Sequence, residues 1–266
     1  MTSLGIVGCG TLGRAILEAA TRGEIPYTVA GVASRTAATA QAYLATLPDP
    51  PPYLPLAALV ERADLLVEAA GQPVVPELAR AAFAAGKDLL VISGGALLEH
   101  PELLDEARAR GCRLIVPSGA IAAIDGVKAA CQGPMDHVTI TTRKPPEALE
   151  GSPYLLERGI SLAGLTEERE VYAGPVREGC RGFPANVNVA ACVSLAGLGP
   201  DRTRMRILAV PGLGRNCHTV EVVGYFGRIT MSIENVPTEN PRTGRLTVLA
   251  ILRALRDAAD PVRIGN

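Results

Sequence analysis

Three features of the chain combine residue types and spacings that can do chemistry. The first is Gly8-Cys9-Gly10-Thr11-Leu12-Gly13, whose glycines keep G-x-G-x-x-G spacing between an apolar strand-like run and a helical pattern. Gly8 permits a tight turn, Gly10 lets the backbone approach a pyrophosphate, and Gly13 lets helix and strand pack closely. The N–H groups at the helix start, around Thr11 and Leu12, then hold phosphate oxygens. Such a loop alone is weak evidence; placed before several further βα repeats, it points to a dinucleotide.

The second feature is Ser34-Arg35, at the end of the next strand-like run. A site that prefers NAD places Asp or Glu there for the ribose hydroxyls, whereas a hydroxyl and a guanidinium accommodate a 2′-phosphate. The expected cofactor is therefore NAD or NADP; the competing reading makes Arg35 an ordinary exposed residue ahead of a helix. The third feature is His218, in Gly214-Arg215-Asn216-Cys217-His218, where a loop enters a strand. An imidazole titrating near the working pH suits proton exchange. Of the other two histidines, His100 precedes Pro101 at a helix start and reads as a surface or cap residue, and His137 opens an alternating strand and reads as structural.

These residues need elements to position them. Strands are expected at 3–8, 27–33, 64–69, 88–92 and 112–116, with helices after the glycine loop and at 37–47, 76–85 and 101–110. Strands alternating with helices of about ten residues imply a parallel sheet covered on both faces, with its ligand crevice at the strands' C-terminal ends. After Gly119 the rhythm changes: a helix at 120–130, a strand at 137–143, a poorly periodic loop or lid at 151–165, and a small-residue helix at 187–196. Strands at 204–210, 218–225 and 227–233 and a helix at 246–258 follow. The expected fold is α/β: a Rossmann-type doubly wound parallel sheet over 1–118, and a second α+β domain with an open, mainly antiparallel sheet over 119–240. The C-terminal stretch 241–266 is a candidate to pack back on the first domain.

Composition narrows the function classes. The 266 residues carry a formal net charge of −1, which offers no basic surface for nucleic acid or acidic lipid. No apolar run approaches the ~18 residues of a membrane span. The six cysteines form no Cys-x-x-Cys pair, so neither a metal site nor a disulfide framework is indicated. The N-terminal residues lack a signal-peptide pattern, and the expected compartment is cytoplasmic.

The chain resembles the L-aspartate dehydrogenase family along nearly its whole length. The matching pieces are the glycine loop, Pro117-Ser118-Gly119-Ala120-Ile121-Ala122-Ala123-Ile124-Asp125, Arg143-Lys144-Pro145-Pro146, and Phe183-Pro184-x-Asn186-Val187-Asn188-Val189-Ala190-Ala191 running into Ser194-Leu195-Ala196-Gly197. Asn216-x-His218 and Glu239-Asn240-Pro241-Arg242-Thr243 complete the set. Gly244 departs from the family, which often has Ser there. The resemblance implies oxidation of L-aspartate to iminoaspartate, reversible to oxaloacetate plus ammonia, feeding NAD biosynthesis. It implies His218 as the catalytic residue, Ala120 and Asn188 as contacts near the nicotinamide, and a homodimer. The Asn188 amide suits the nicotinamide carboxamide or ribose, although a helix N-terminal cap is an equally simple role. Two substrate carboxylates need donors, for which Lys144, Arg215, Asn216 and Thr243 are candidates.

Two rivals share the architecture. Sugar and polyol oxidoreductases carry a Glu-Lys-Pro motif after the fifth Rossmann strand, whereas Lys144-Pro145 follows Arg143 and a strand of the second half. Dihydrodipicolinate reductase relatives carry a paired-histidine motif that is absent here. A non-catalytic NAD(P) sensor would need the glycine loop without Asn216-x-His218.

Overall fold

In the computed structural model, which describes residues 2–184, 187–236, 244–262 and 264–265, the first apolar run becomes strand β1 (Thr2–Val7), with Leu4 and Ile6 wholly buried. Around it lie β2 (Tyr27–Ala33), β3 (Leu65–Glu68), β4 (Asp88–Val91) and the short β5 (Leu114–Ile115). The order is β2-β1-β3-β4-β5, with every pair parallel. Helices α1 (Thr11–Thr21), α2 (Ala37–Leu44), α3 (Leu56–Arg62), α4 (Val75–Ala84), α5 (Ala96–Glu99) and α6 (Glu102–Arg110) connect the strands. Beyond β2, Val32 pairs in parallel with Tyr53, through Val32 N donating to Pro52 O and Leu54 N donating to Val32 O, both at 2.9 Å. This bridge is a vestigial third strand, and it completes the doubly wound order 3-2-1-4-5-6.

Several expected bounds shift. The helix expected at 37–47 stops at Leu44, and the fifth strand contracts to two residues. Helices α3 and α5 were not expected, being too short to show a period. The Pro50–Pro52 run reads in sequence only as a helix stop; prolines without N–H donors still permit an edge bridge.

The crest of this sheet is fixed by a buried carboxylate. Glu68 is 0% exposed at the end of β3. Its Oε1 accepts from Ala70 N (2.8 Å), Gly71 N (2.7 Å) and Ser93 Oγ (3.0 Å), and its Oε2 accepts from Ser93 N (2.8 Å). One side chain thus ties together the loops that leave β3 and β4.

The chain divides into two compact units, Met1–Pro117 with Val248–Arg263, and Ser118–Thr247 with Ile264–Asn266. Within the first unit, the C-terminal helix α11 (Arg245–Ala259) supplies Ile251 and Leu255 to the core around Leu4, Ile6, Ile16 and Val32. The Tyr27 hydroxyl donates to Leu255 O (3.0 Å), and Arg113 Nη1 donates to Ala258 O (3.0 Å).

The second unit is built on a mixed sheet of β6 (Met135–Lys144), β7 (Arg169–Pro175), β8 (Arg204–Ala209), β9 (Asn216–Gly224) and β10 (Gly227–Asn235). Its order is β10-β9-β6-β8-β7, antiparallel except for the parallel β6/β8 pair. Alternation sorts the two faces. Val138, Ile140, Val220, Val222, Met205 and Ile207 are buried on one. Against this sheet pack α7 (Ile124–Ala130), α9 (Val176–Gly182) and α10 (Val187–Ala196). The other face carries ion pairs such as Arg206–Glu170 and His137–Glu221.

The helix expected at 120–130 starts only at Ile124, because Ala123 takes φ +52, the one non-glycine positive φ among the described residues. The 151–165 segment contains helix α8 (Pro153–Glu157). Strand β7 and helix α9 were missed. β7 is an edge strand that begins on charges and carries a bulge between Glu170 and Tyr172, which breaks the alternation.

Glu68→Gln should lower stability by about 1–3 kcal/mol, because an amide turns one acceptor into a donor that meets N–H groups. Urea unfolding checks this, and a change within error would mean the four bonds contribute little.

Candidate active site

The glycine loop shows three different uses of a missing side chain. Gly8 has φ +113, and a Cβ there would sit 2.4 Å from Ala69 O. At Gly13 a Cβ would meet Gly8 O at 2.0 Å. At Gly10 it would meet nothing within 4 Å, and the residue is exposed. Gly8 and Gly13 therefore serve the turn and the helix–strand contact, while Gly10 keeps open the space in front of α1. The residues present fit a dinucleotide pyrophosphate: an open glycine precedes an eleven-residue helix, and a helix N-terminus favours an anion. Arg14 Nε donates to Cys9 O (3.1 Å), and its guanidinium lies 4.2 Å from the Tyr43 ring centroid, bracing the turn from behind. Ser34 is half-buried, with its carbonyl accepting from the Tyr53 hydroxyl at 2.8 Å, and Arg35 is exposed.

In the second unit the register of β6 and β9 sets the chemistry. Thr142 pairs with His218, and its Oγ1 lies 3.0 Å from His218 Nδ1. Lys144, two residues on from Thr142, shares that face, as does Asn216, two residues before His218. His218 is 7% exposed and Lys144 9%. Burial pushes the imidazole down to about 4, with the Lys144 charge adding to the shift. Burial alone pushes Lys144 down to about 8. Among the described residues Lys144 has no carboxylate partner. Burial thus carries His218 below the range expected for it, and of the two bases on this face Lys144 lies nearer to neutral pH.

Asn235, 6% exposed on β10, pairs across the ladder with Asn216 and donates from Nδ2 to Ala120 O at 3.2 Å. It pins the segment that carries Ala120, between Gly119 at φ +64 and Ala123 at φ +52. Asn188 is the second residue of α10 and is exposed. Arg215 is not brought to His218: its Nη1 lies 3.3 Å from Glu234, whose ladder partner is Cys217 on the opposite face. Thr243 lies outside the described residues. His100 meets Glu102 at 3.2 Å and His137 meets Glu221 at 3.0 Å, both in structural pairs. Among the described residues no group of His, Cys, Asp and Glu could hold a metal ion, and no helix is long and apolar enough to cross a membrane.

Sequence reasoning missed Thr142, Asn235 and Glu68. Thr142 and Asn235 are polar residues at inward positions of alternating strands, a signal that was available. Glu68 ends a continuous apolar run, Leu65-Leu66-Val67, where a charge is out of place unless it is bonded.

The parallel sheet with its glycine loop, joined in sequence to a mixed-sheet unit, defines an NAD(P)-dependent dehydrogenase. Residues 8–117 match the model described as homoserine dehydrogenase, NAD binding domain, and residues 125–258 match aspartate dehydrogenase, C-terminal. The chain belongs to the L-aspartate dehydrogenase family. It is 41% identical over 262 residues to L-aspartate dehydrogenase 3 of Bordetella bronchiseptica, covering 98% of this chain and 96% of that one. It is 40% identical to L-aspartate dehydrogenase of Methanocella arvoryzae over 271 residues, covering 100% of both. In fold it is similar to the crystal structure of aspartate dehydrogenase from Thermotoga maritima, with TM-score 0.76, 23% identity and 100% of both chains covered.

Gly10→Val should leave the melting temperature nearly unchanged and abolish dinucleotide binding, whereas Gly13→Ala should cost about 1–3 kcal/mol of stability through its clash with Gly8 O. Melting curves with and without cofactor separate the two, and a Gly10→Val protein that still binds would remove the pyrophosphate from this loop.

Proposed function

We propose that the protein oxidises L-aspartate to iminoaspartate with NAD or NADP, reversibly to oxaloacetate and ammonia, and that the imine supplies NAD biosynthesis in the cytoplasm. The observation that carries this reading is the end-to-end identity of about two residues in five with relatives named L-aspartate dehydrogenase. The site supports it. His218 is the catalytic residue that meets the substrate nitrogen, with Nδ1 held by Thr142 and Nε2 left for the substrate. Lys144 and Asn216 share its face and suit a dicarboxylate; Arg215 would first have to leave Glu234, and Thr243 is the remaining donor. The cofactor, when bound, accepts the hydride from the α-carbon. Gly8, Gly10, Thr11, Leu12 and Gly13 hold its pyrophosphate, and Ala120 and Asn188 contact its nicotinamide end. Ser34 and Arg35 admit the 2′-phosphate of NADP. The working form is a homodimer, which sedimentation checks.

Initial rates of reduced-nicotinamide formation across amino acids test the reading: aspartate should turn over and other amino acids should lag. Cofactor binding without turnover of any amino acid would favour a sensor. His218→Ala should lower kcat by roughly 10²–10⁴ with little change in cofactor affinity. Arg35→Ala should weaken NADP more than NAD, and equal shifts would detach the guanidinium from the 2′-phosphate.

A further inference from the structure

An α-ammonium must lose a proton before its nitrogen lone pair can form C=N, and that proton needs a holder. A buried imidazole that protonates only near pH 4 releases a proton at once at neutral pH. The same face offers one other proton carrier. Resting on the function proposed above, we propose that Lys144 in its neutral form takes the α-ammonium proton of the substrate, and that His218 acts beside it as a neutral hydrogen-bonding residue.

Geometry supports the assignment first. The β6 face carries Val138, Ile140, Thr142 and Lys144, and across the ladders stand Asn216, His218, Val220 and Val222 on β9 and Met205, Ile207 and Ala209 on β8. Asn235 stands on β10 opposite Asn216. His218 is the one titratable group among these neighbours of Lys144. The helices packed against this sheet contribute Cys180 and Cys192 as their buried titratable groups, and burial pushes the Cys192 thiol up to about 11. No carboxylate among the described residues holds the lysine protonated, and the dry surroundings favour its neutral form.

Residue choice supports it independently. The chain has 26 basic residues and only three lysines, Lys87, Lys128 and Lys144. Lys128 is exposed and Lys87 half-buried. In a chain that otherwise uses arginine, the most deeply buried of the three sits beside His218. A guanidinium stays charged at every working pH; a primary amine does not.

The balance closes without another reagent. One proton passes from the α-ammonium to the Lys144 amine. The α-carbon hydrogen leaves with its electron pair for the nicotinamide, and the nitrogen lone pair forms the C=N bond of the iminium. The Lys144 ammonium then returns its proton to solvent. The two substrate carboxylates raise the proton affinity of the amine as they arrive, so it gains basicity when the α-ammonium is presented.

Two measurements test this. With [13C]lysine-labelled protein, the three Cε resonances are followed against pH without substrate. One, absent in Lys144→Met, should titrate near 8. A Lys144 resonance that titrates near the ordinary lysine value of about 10.4 overturns the proposal whatever the substrate proves to be. In aspartate oxidation, kcat/KM, which reports the free enzyme, should rise with pH to a plateau above about 8. Lys144→Met should lower it by 10²–10⁴ and remove that limb. Lys144→Arg should be as slow as Lys144→Met, since it cannot take a proton. Substantial rescue by Arg, with the loss confined to KM, would make Lys144 a carboxylate clamp and overturn its role as base. Absence of aspartate turnover in the wild type would fail the function and leave the resonance result standing.

Discussion

The second unit is organised around a charge that its own side chains do not neutralise. The β6–β9 ladder places Lys144 and His218 on one buried face, and the only polar contact found for the imidazole among the described residues is Thr142 Oγ1 at 3.0 Å. Burial disfavours the charged form of each base, and each would raise the cost of charging the other. The face therefore rests with a neutral imidazole and a lysine that charges reluctantly. The rest of the unit serves this arrangement. Three helices keep water from the apolar rows beside it, and Asn235 fixes the strained turn around Ala120 at the end of the neighbouring strand.

The first unit solves the opposite problem, with a carboxyl group buried and fully hydrogen-bonded. Glu68 accepts four hydrogen bonds at 2.7–3.0 Å from two loops. Its neighbours Ala69 and Ala70 are the atoms that a side chain at Gly8 would strike. The turn at Gly8 thus presses against backbone that Glu68 holds, and the open space before α1 depends on a carboxylate that never meets solvent. A loop with this support keeps its first-turn N–H groups aimed without help from the ligand.

Local signals made much of this legible in the sequence. The glycine spacing and the continuous apolar strands identified the parallel sheet, because both faces of such a sheet are covered and its runs need no alternation. His218, Lys144 and Asn216 were singled out by residue type and motif, and the ladder brings them to one face. What stayed hidden was set by pairing between distant segments. Whether Arg215 points toward His218 or toward Glu234 depends on which side of β9 its loop leaves, and no local pattern records that. The Tyr53 bridge was masked by its prolines, and the burial that takes His218 away from its ordinary titration range belongs to a tertiary setting that its own segment does not record.

The depressed bases also have an energetic consequence. A group whose pKa falls on folding contributes its full share of stability above the unfolded value and loses it as pH falls through the folded one. For His218 that window runs from about 6.5 down to about 4, and for Lys144 from 10.5 down to about 8. At neutral pH the histidine costs little, since it is neutral in both states. The lysine is charged in the unfolded chain and largely charged in the fold, so its buried ammonium is held at a cost on the order of 3 kcal/mol. Replacement of Lys144 by an apolar residue would therefore stabilise the protein while removing the proton acceptor of this face, the trade expected where a site is kept poised at the expense of the fold.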